Sequence, residues 1–161
     1  MLGNLLSFEN CAECRMCCRF DRYNVLETPV FTSENVERIR EIFPDSEFIA
    51  KKGGFIYRIK VLSDMDGFTC PALAENGCIL GDDKPFDCKI WPFCIMNVGG
   101  RRAITIAHIC DEMFSRPLSE LVGFLKNGLA DEIFAFADLN PDIVRPYYEG
   151  YPVLLFERKL L

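Results

Sequence analysis

Apolar positions recur at helical spacing in two stretches of this chain and bunch as strands in three. Ser33-Glu34 has the makings of a helix start, with a serine able to cap and an acid suited to the positive end of the dipole. Val36, Ile39, Ile42 and Phe43 then follow the helical period around Arg40, and Pro44 stops the run. Gly53-Gly54 makes a turn before Phe55-Ile56-Tyr57-Arg58-Ile59-Lys60-Val61, whose β-branched and aromatic content predicts a strand. Ala103 to Ile109 is a second strand candidate, expected to pair with the first. Ser115-Arg116-Pro117 opens a second helical pattern through Leu121, Phe124, Leu125 and Leu129. Asn127-Gly128 would end or bend it before Ile133, Phe134 and Ala137. Pro141, Pro146 and Pro152 make the tail irregular, with Val153 to Phe156 a last strand able to pair with a second copy. Residues 63–100 are rich in turns, with Asp66-Gly67, Asn76-Gly77 and Gly99-Gly100, and repeats and low-complexity tracts are absent from the sequence.

The expected fold is α+β: a single small domain over residues 1–161, with short helices and a small antiparallel sheet. The cysteine core would span about residues 11–110 and a helical C-terminal part residues 115–140. At 161 residues and 50% hydrophobic, the chain can bury a core of its own. Its formal net charge of −6 would repel a phosphate backbone, which argues against nucleic acid as a partner. No apolar run approaches the roughly 20 residues of a membrane span, so no membrane is expected either. The start, Met1-Leu2-Gly3-Asn4, has none of the basic residues of a secretory signal, and the expected location is the cytoplasm.

Cysteine usage changes the picture most. The chain has 9 cysteines, an odd number for a disulfide framework and one expected to stay reduced in that compartment. Cys11, Cys14, Cys17 and Cys18 crowd into one short segment, ahead of an aromatic stretch, Phe20-Asp21-Arg22-Tyr23. Cys70, Cys78, Cys88, Cys94 and Cys110 follow. Thiolates two residues apart suit a soft metal or an iron–sulfur cluster. On one helix, Cys11, Cys14 and Cys18 would share an arc of about 60°, with Cys17 off to the side. In a loop, Cys11, Cys14 and Cys17 would form a ferredoxin-like C-x2-C-x2-C run. Either way, Cys17 and Cys18 point apart, and the remaining ligands must come from Cys70, Cys78, Cys88 and Cys110. Ligand bonds would then be what orders the turn-rich middle.

The order and spacing of Cys11-x2-Cys14-x2-Cys17-Cys18, Cys70-Pro71-Ala72-Leu73, Cys78-Ile79-Leu80 and Lys84-Pro85-Phe86-Asp87-Cys88-Lys89-Ile90-Trp91-Pro92 resemble the YkgJ-type cysteine-cluster proteins, also described as zinc- or iron-chelating domains. The resemblance covers roughly residues 11–92, with Cys110 matching a late cysteine that many members carry. The chain departs from the pattern at Lys84 and Lys89, where the family often has arginine, and at Leu80 and Trp91; Cys94 matches nothing in it. The resemblance implies a metal or iron–sulfur binder. A related group includes lysine methylases that act on flagellin, which implies a protein partner or protein substrate. Gly53-Gly54 and Gly99-Gly100 lack the strand–helix context of a nucleotide site and read as turns.

The expected cofactor is therefore an iron–sulfur centre of the [4Fe-4S] type, one or two per chain, held from among Cys11, Cys14, Cys17, Cys18, Cys70, Cys78, Cys88 and Cys110. Its work would be electron transfer, cofactor maturation or protein modification. The alternative is structural zinc in a protein-interaction module. A thioredoxin-like use of one C-x2-C pair is disfavoured, because no strand precedes it.

Smaller features read more plainly. His108 would share a strand face with Ile104, Ile106 and Cys110, as a packed residue or a ligand beside Cys110. Cys94 reads as buried and inert, Asp82-Asp83-Lys84 as a solvated turn and Arg101-Arg102 as a strand-edge pair. Asp64 and Asp66 open like a calcium loop whose spacing then fails. Phe134 and Phe136 could form an exposed docking patch.

Overall fold

A computed structural model describes residues 2, 5–21, 28–58 and 67–158. The fold is α+β, and packing divides it into two compact units, residues 2–89 and residues 90–161.

In the first unit, α1 (Phe8–Cys14) starts where the Ser7 hydroxyl accepts the Asn10 N–H at 3.0 Å. It ends at Arg15, whose left-handed backbone (φ 57°) turns the chain into a 3₁₀ turn over Met16–Cys18. The cysteine segment is thus neither one helix nor a plain loop, and the arc drawn for Cys11, Cys14 and Cys18 on a single helix does not form. Strand β1 (Arg19–Phe20) follows. Helix α2 (Ser33–Ile42) is capped by Thr32 rather than Ser33, one residue earlier than its sequence suggests. Asn35 is the reason: its side chain and backbone exchange hydrogen bonds with Thr32 in a capping box. The helix buries Val36 and Ile39.

Strands β2 (Phe48–Lys51) and β3 (Gly54–Tyr57) form a hairpin. At Gly54 a Cβ would stand 2.8 Å from the Phe31 carbonyl oxygen, so the bridge between Phe31 and Phe55 requires glycine there. Positions 59–61 of the expected strand lie outside the described residues, as do Arg22, Tyr23, Asp64 and Asp66. Strand β4 (Phe68–Thr69) pairs antiparallel with β1, β5 (Leu73–Ala74) forms a tight hairpin with β6 (Gly77–Cys78), and α3 (Phe86–Ile90) closes the unit. The core gathers Phe20, Phe31, Val36, Ile39, Tyr57, Cys70, Ala72 and Leu80. Phe31 meets Tyr57 edge-on at 4.8 Å, and Tyr57 stacks on Phe48 at 4.6 Å.

The second unit holds a four-stranded sheet in the order β10-β8-β7-β9. Its strands are β7 (Phe93–Val98), β8 (Arg101–Ile106), β9 (Arg145–Pro146) and β10 (Val153–Phe156). Two of its three pairings are antiparallel, but β9 joins β7 in parallel, so the sheet is mixed rather than antiparallel throughout. The expected pairing of residues 55–61 with 103–109 does not form. Each strand instead takes its nearest neighbour in sequence: Gly99-Gly100, both at positive φ, reverse the chain in two residues and lay β8 on β7. Such a turn closes at small entropic cost, where the long-range pairing would have to close a loop of several tens of residues.

Phe93, Ile95, Ile104 and Ile106 alternate onto one buried face, while Cys94 and Met96 lie on the other with Ala107, Trp91, Ile109 and Tyr151. Between the strands, α4 (Asp111–Phe114), α5 (Leu118–Phe124) and α6 (Ala130–Leu139) contribute Met113, Leu121 and Ile133 to the core. The chain bends at Asn127-Gly128, where Gly128 reaches φ 117°. Phe134 and Phe136 are half-buried rather than an exposed patch; Leu118 and Leu139 are the more open apolar side chains. Among the described residues, no helix is long and apolar enough to cross a membrane.

Two substitutions check this packing by urea unfolding. Ile104→Ala, at a fully buried sheet position, should cost roughly 2–5 kcal/mol. Thr32→Ala should cost about 1 kcal/mol through loss of the α2 cap.

Candidate metal centre

Backbone pairing brings the N-terminal cysteines to the middle of the chain. Arg19 lies opposite Thr69 and Phe20 opposite Phe68, and just before this ladder the Cys70 N–H donates to the Cys18 carbonyl at 2.8 Å. Leu73 pairs with Cys78, and the Ile79 N–H donates to the Ala72 carbonyl at 2.9 Å, so Cys70 and Cys78 flank one small hairpin. Helix α1 packs near β6. Cys88 lies on α3, next to Asp87, whose carboxylate accepts the Val30 N–H at 3.2 Å and so ties α3 to the segment ahead of Phe31.

Five thiols are brought together in this unit: Cys17, Cys18, Cys70, Cys78 and Cys88. Their charges act on one another. A hydrogen bond shared with Cys18, then desolvation and the Cys18 charge, push the Cys17 thiol far up, with Lys84 acting against them. Desolvation pushes Cys70 up to about 11, and the charges of Cys78 and Cys17 add to it. Desolvation also holds Cys88 well above its ordinary value, with Cys70, Asp87, Cys17 and Cys78 contributing. Cys17 and Cys88 are exposed as residues, while dense protein around their sulfurs supplies the desolvation. Tyr57 belongs to the same group: burial, then the charges of Cys70, Cys78 and Cys88, raise its phenol to about 12.

The donor chemistry fits a thiophilic cation, which would relieve the mutual repulsion of these sulfurs once they deprotonate. Their spacing is open: among the described residues, no three Cys, His, Asp or Glu side chains form a group that could hold a metal ion. Cys11 and Cys14 are exposed on α1.

The other sequence candidates lie in the second unit. Cys110 is half-buried at the N-cap position of α4. Cys94 is buried, as its apolar neighbours suggest, and its thiol donates to the Pro92 carbonyl at 3.7 Å. His108 is not on a strand face: β8 ends at Ile106, and the exposed imidazole meets Tyr151 edge-on at 5.5 Å. Nor are Arg101 and Arg102 an edge pair, since β8 lies between β7 and β10. Arg102 binds Glu157 through two donors and Asp138 at 2.6 Å, and Arg101 lies over the Phe156 ring at 4.4 Å. Asp83, in the expected acidic turn, pairs with Arg38 at 3.3 Å.

Two contributors had no signal in the sequence. Tyr57 reads there as a strand residue, and nothing in the sequence singles out Arg15; only the fold places them at the thiols.

Comparison with family models, curated proteins and solved structures returns no match. The resemblance to the cysteine-cluster proteins therefore rests on the cysteine motifs of the sequence alone.

The raised thiols make the metal-free chain sensitive to alkali. Cys70 titrates at about 11 in the folded chain against an ordinary 9.0, so the folded state holds the proton more tightly. That contribution to stability is complete below about pH 9 and is lost as pH rises through about 11. The urea midpoint of metal-free protein should fall across this window, and fall less in Cys70→Ala. Equal slopes for the two proteins would contradict the assignment.

Proposed function

We propose that residues 2–89 form an iron–sulfur protein of the [4Fe-4S] type, acting in electron transfer, cofactor maturation or protein modification. One observation carries the reading: Cys88 feels the charges of Cys70, Cys17 and Cys78, and Cys70 those of Cys78 and Cys17, although the four come from separate segments. Cys70 and Cys88, held protonated first by burial and then by neighbouring thiol charges, belong to a set that closes when a cation takes the place of the protons. These four would hold the centre, and Cys11, Cys14 and Cys18 would serve a second centre or remain as reactive thiols. Such a centre supplies one-electron chemistry, or an open iron site where its thiolate shell is incomplete. The chain's own residues would desolvate it, through the aromatic core around Tyr57, and place Lys84 where its charge offsets that of Cys17.

Met16 and Ile79, next in sequence to Cys17 and Cys78, are each 46% exposed, which supports a protein as partner or substrate. The net charge of −6 weighs against nucleic acid. A second reading is structural zinc in a protein-interaction module. It is favoured by the separate elements that bring these thiols together, from which the four donors of a closed tetrahedral site can be drawn.

Metal and acid-labile sulfide measured on protein purified without oxygen separate the two. About four irons and four sulfides per chain, with a brown absorption, are expected for one cubane. Zinc without sulfide or colour would establish the second reading in its place. Cys17→Ser and Cys70→Ser should each lose most of the bound metal, whereas Cys94→Ser should keep it. Equal metal content in all three would overturn both readings.

A further inference from the structure

We infer that Arg15 is the positioning residue of the cysteine site, fixing α1 with Cys11 and Cys14, the turn with Cys17 and Cys18, and the hairpin with Cys78 in one arrangement. The inference rests on the metal reading above and concerns what shapes that site.

Among the described residues, Arg15 is the one non-glycine with positive φ, at φ 57° and ψ 6°. An L side chain adopts that conformation only at a cost, and a helix commonly places glycine there as it ends. Four hydrogen bonds hold it. Its N–H donates to the Cys11 carbonyl at 3.1 Å, closing α1, and its own carbonyl accepts the Cys18 N–H at 3.1 Å, opening the next turn. Its Nε returns to the Ala12 carbonyl at 2.8 Å, and Nη2 crosses to the carbonyl of Glu75.

Each bond has a consequence for the thiols. The two backbone bonds set the angle between the Cys11/Cys14 and Cys17/Cys18 pairs. The Nε bond satisfies a carbonyl in the last turn of α1 and puts positive charge at the end of the helix that favours it. The Nη2 bond reaches the two-residue turn between β5 and β6, three residues before Cys78. A guanidinium donates in two directions from one rigid plane, and here it spans a local carbonyl and one 60 residues away. Lysine has a single ammonium on a flexible stem and cannot hold both at that geometry.

The backbone conformation suits glycine and the side-chain bonds need arginine, so substitution separates the two roles. Arg15→Gly relieves the backbone and removes the anchor. Wild type, Arg15→Gly and Arg15→Lys are loaded anaerobically with zinc(II), a thiolate-seeking probe, and competed against a chromogenic chelator. Their metal-free forms are melted in parallel. Arg15→Gly should bind zinc(II) about 10- to 100-fold more weakly, the usual effect of removing an outer support of a metal site, with a metal-free melting temperature close to wild type. Arg15→Lys should weaken binding in the same direction; it carries the test if Arg15→Gly does not fold. Zinc(II) affinity equal to wild type in a folded variant would overturn the inference and leave the metal reading standing. A fall in affinity matched by an equal fall in metal-free stability would make Arg15 a general stabiliser and overturn the inference as well. A wild-type chain that takes up no zinc(II) would count against the metal site itself and remove the inference with it.

Discussion

The hydrogen bond from the Cys70 N–H to the Cys18 carbonyl is the constraint on which the cysteine unit depends. It continues the short ladder of β1 and β4, and that ladder joins segments some fifty residues apart along the chain. With it in place, Cys17 comes within reach of Cys70, the β5–β6 hairpin brings Cys78 to the same place, and α3 adds Cys88. Two-residue strands have little stability of their own. The aromatic packing of Phe31, Phe48 and Tyr57, and the Asp87 carboxylate on the Val30 N–H, hold the neighbouring segments in register.

Electrostatics and packing pull against each other at this point. Burying thiols beside one another is tolerable while they carry protons, and each becomes costly once it ionises. The unit therefore packs its sulfurs as small hydrophobes, Cys70 in the core and Cys18 and Cys78 against it, and keeps Lys84 close to Cys17. The same burial that makes Cys70 a good core residue makes it a reluctant acid.

The α+β class, the helix over 33–42, the bend at Asn127-Gly128 and the last strand could all be read from periodicity and turn residues, because each is decided within a short window. Partners of strands could not. Residues 48–51 and 93–98 carry no marked alternation, and only the hairpins at Lys52-Gly53 and Gly99-Gly100 reveal them as strands. The crowding of Cys11 to Cys18 marked the site, and its link to the middle was expected from the need for further ligands. What pattern could not supply was the left-handed break at Arg15, which splits the four cysteines into two pairs, and the arrival of Tyr57 from another element. His108 misled for a related reason: alternation was carried two residues past the true end of β8.

Both margins of the β10-β8-β7-β9 sheet are blunted. On one side β9 is two residues long and ends in Pro146, which has no N–H to offer a further strand. On the other, β10 shifts register between Val153 and Leu155, and the bonds of Arg102 to Glu157 and Asp138 hold its end against the protein's own body. A bulged margin beside a charged clasp is a poor template for another chain. An acidic protein with half its residues apolar thus carries its own guard against edge-to-edge growth, and a swap of Val153–Phe156 between copies would have to break that clasp first.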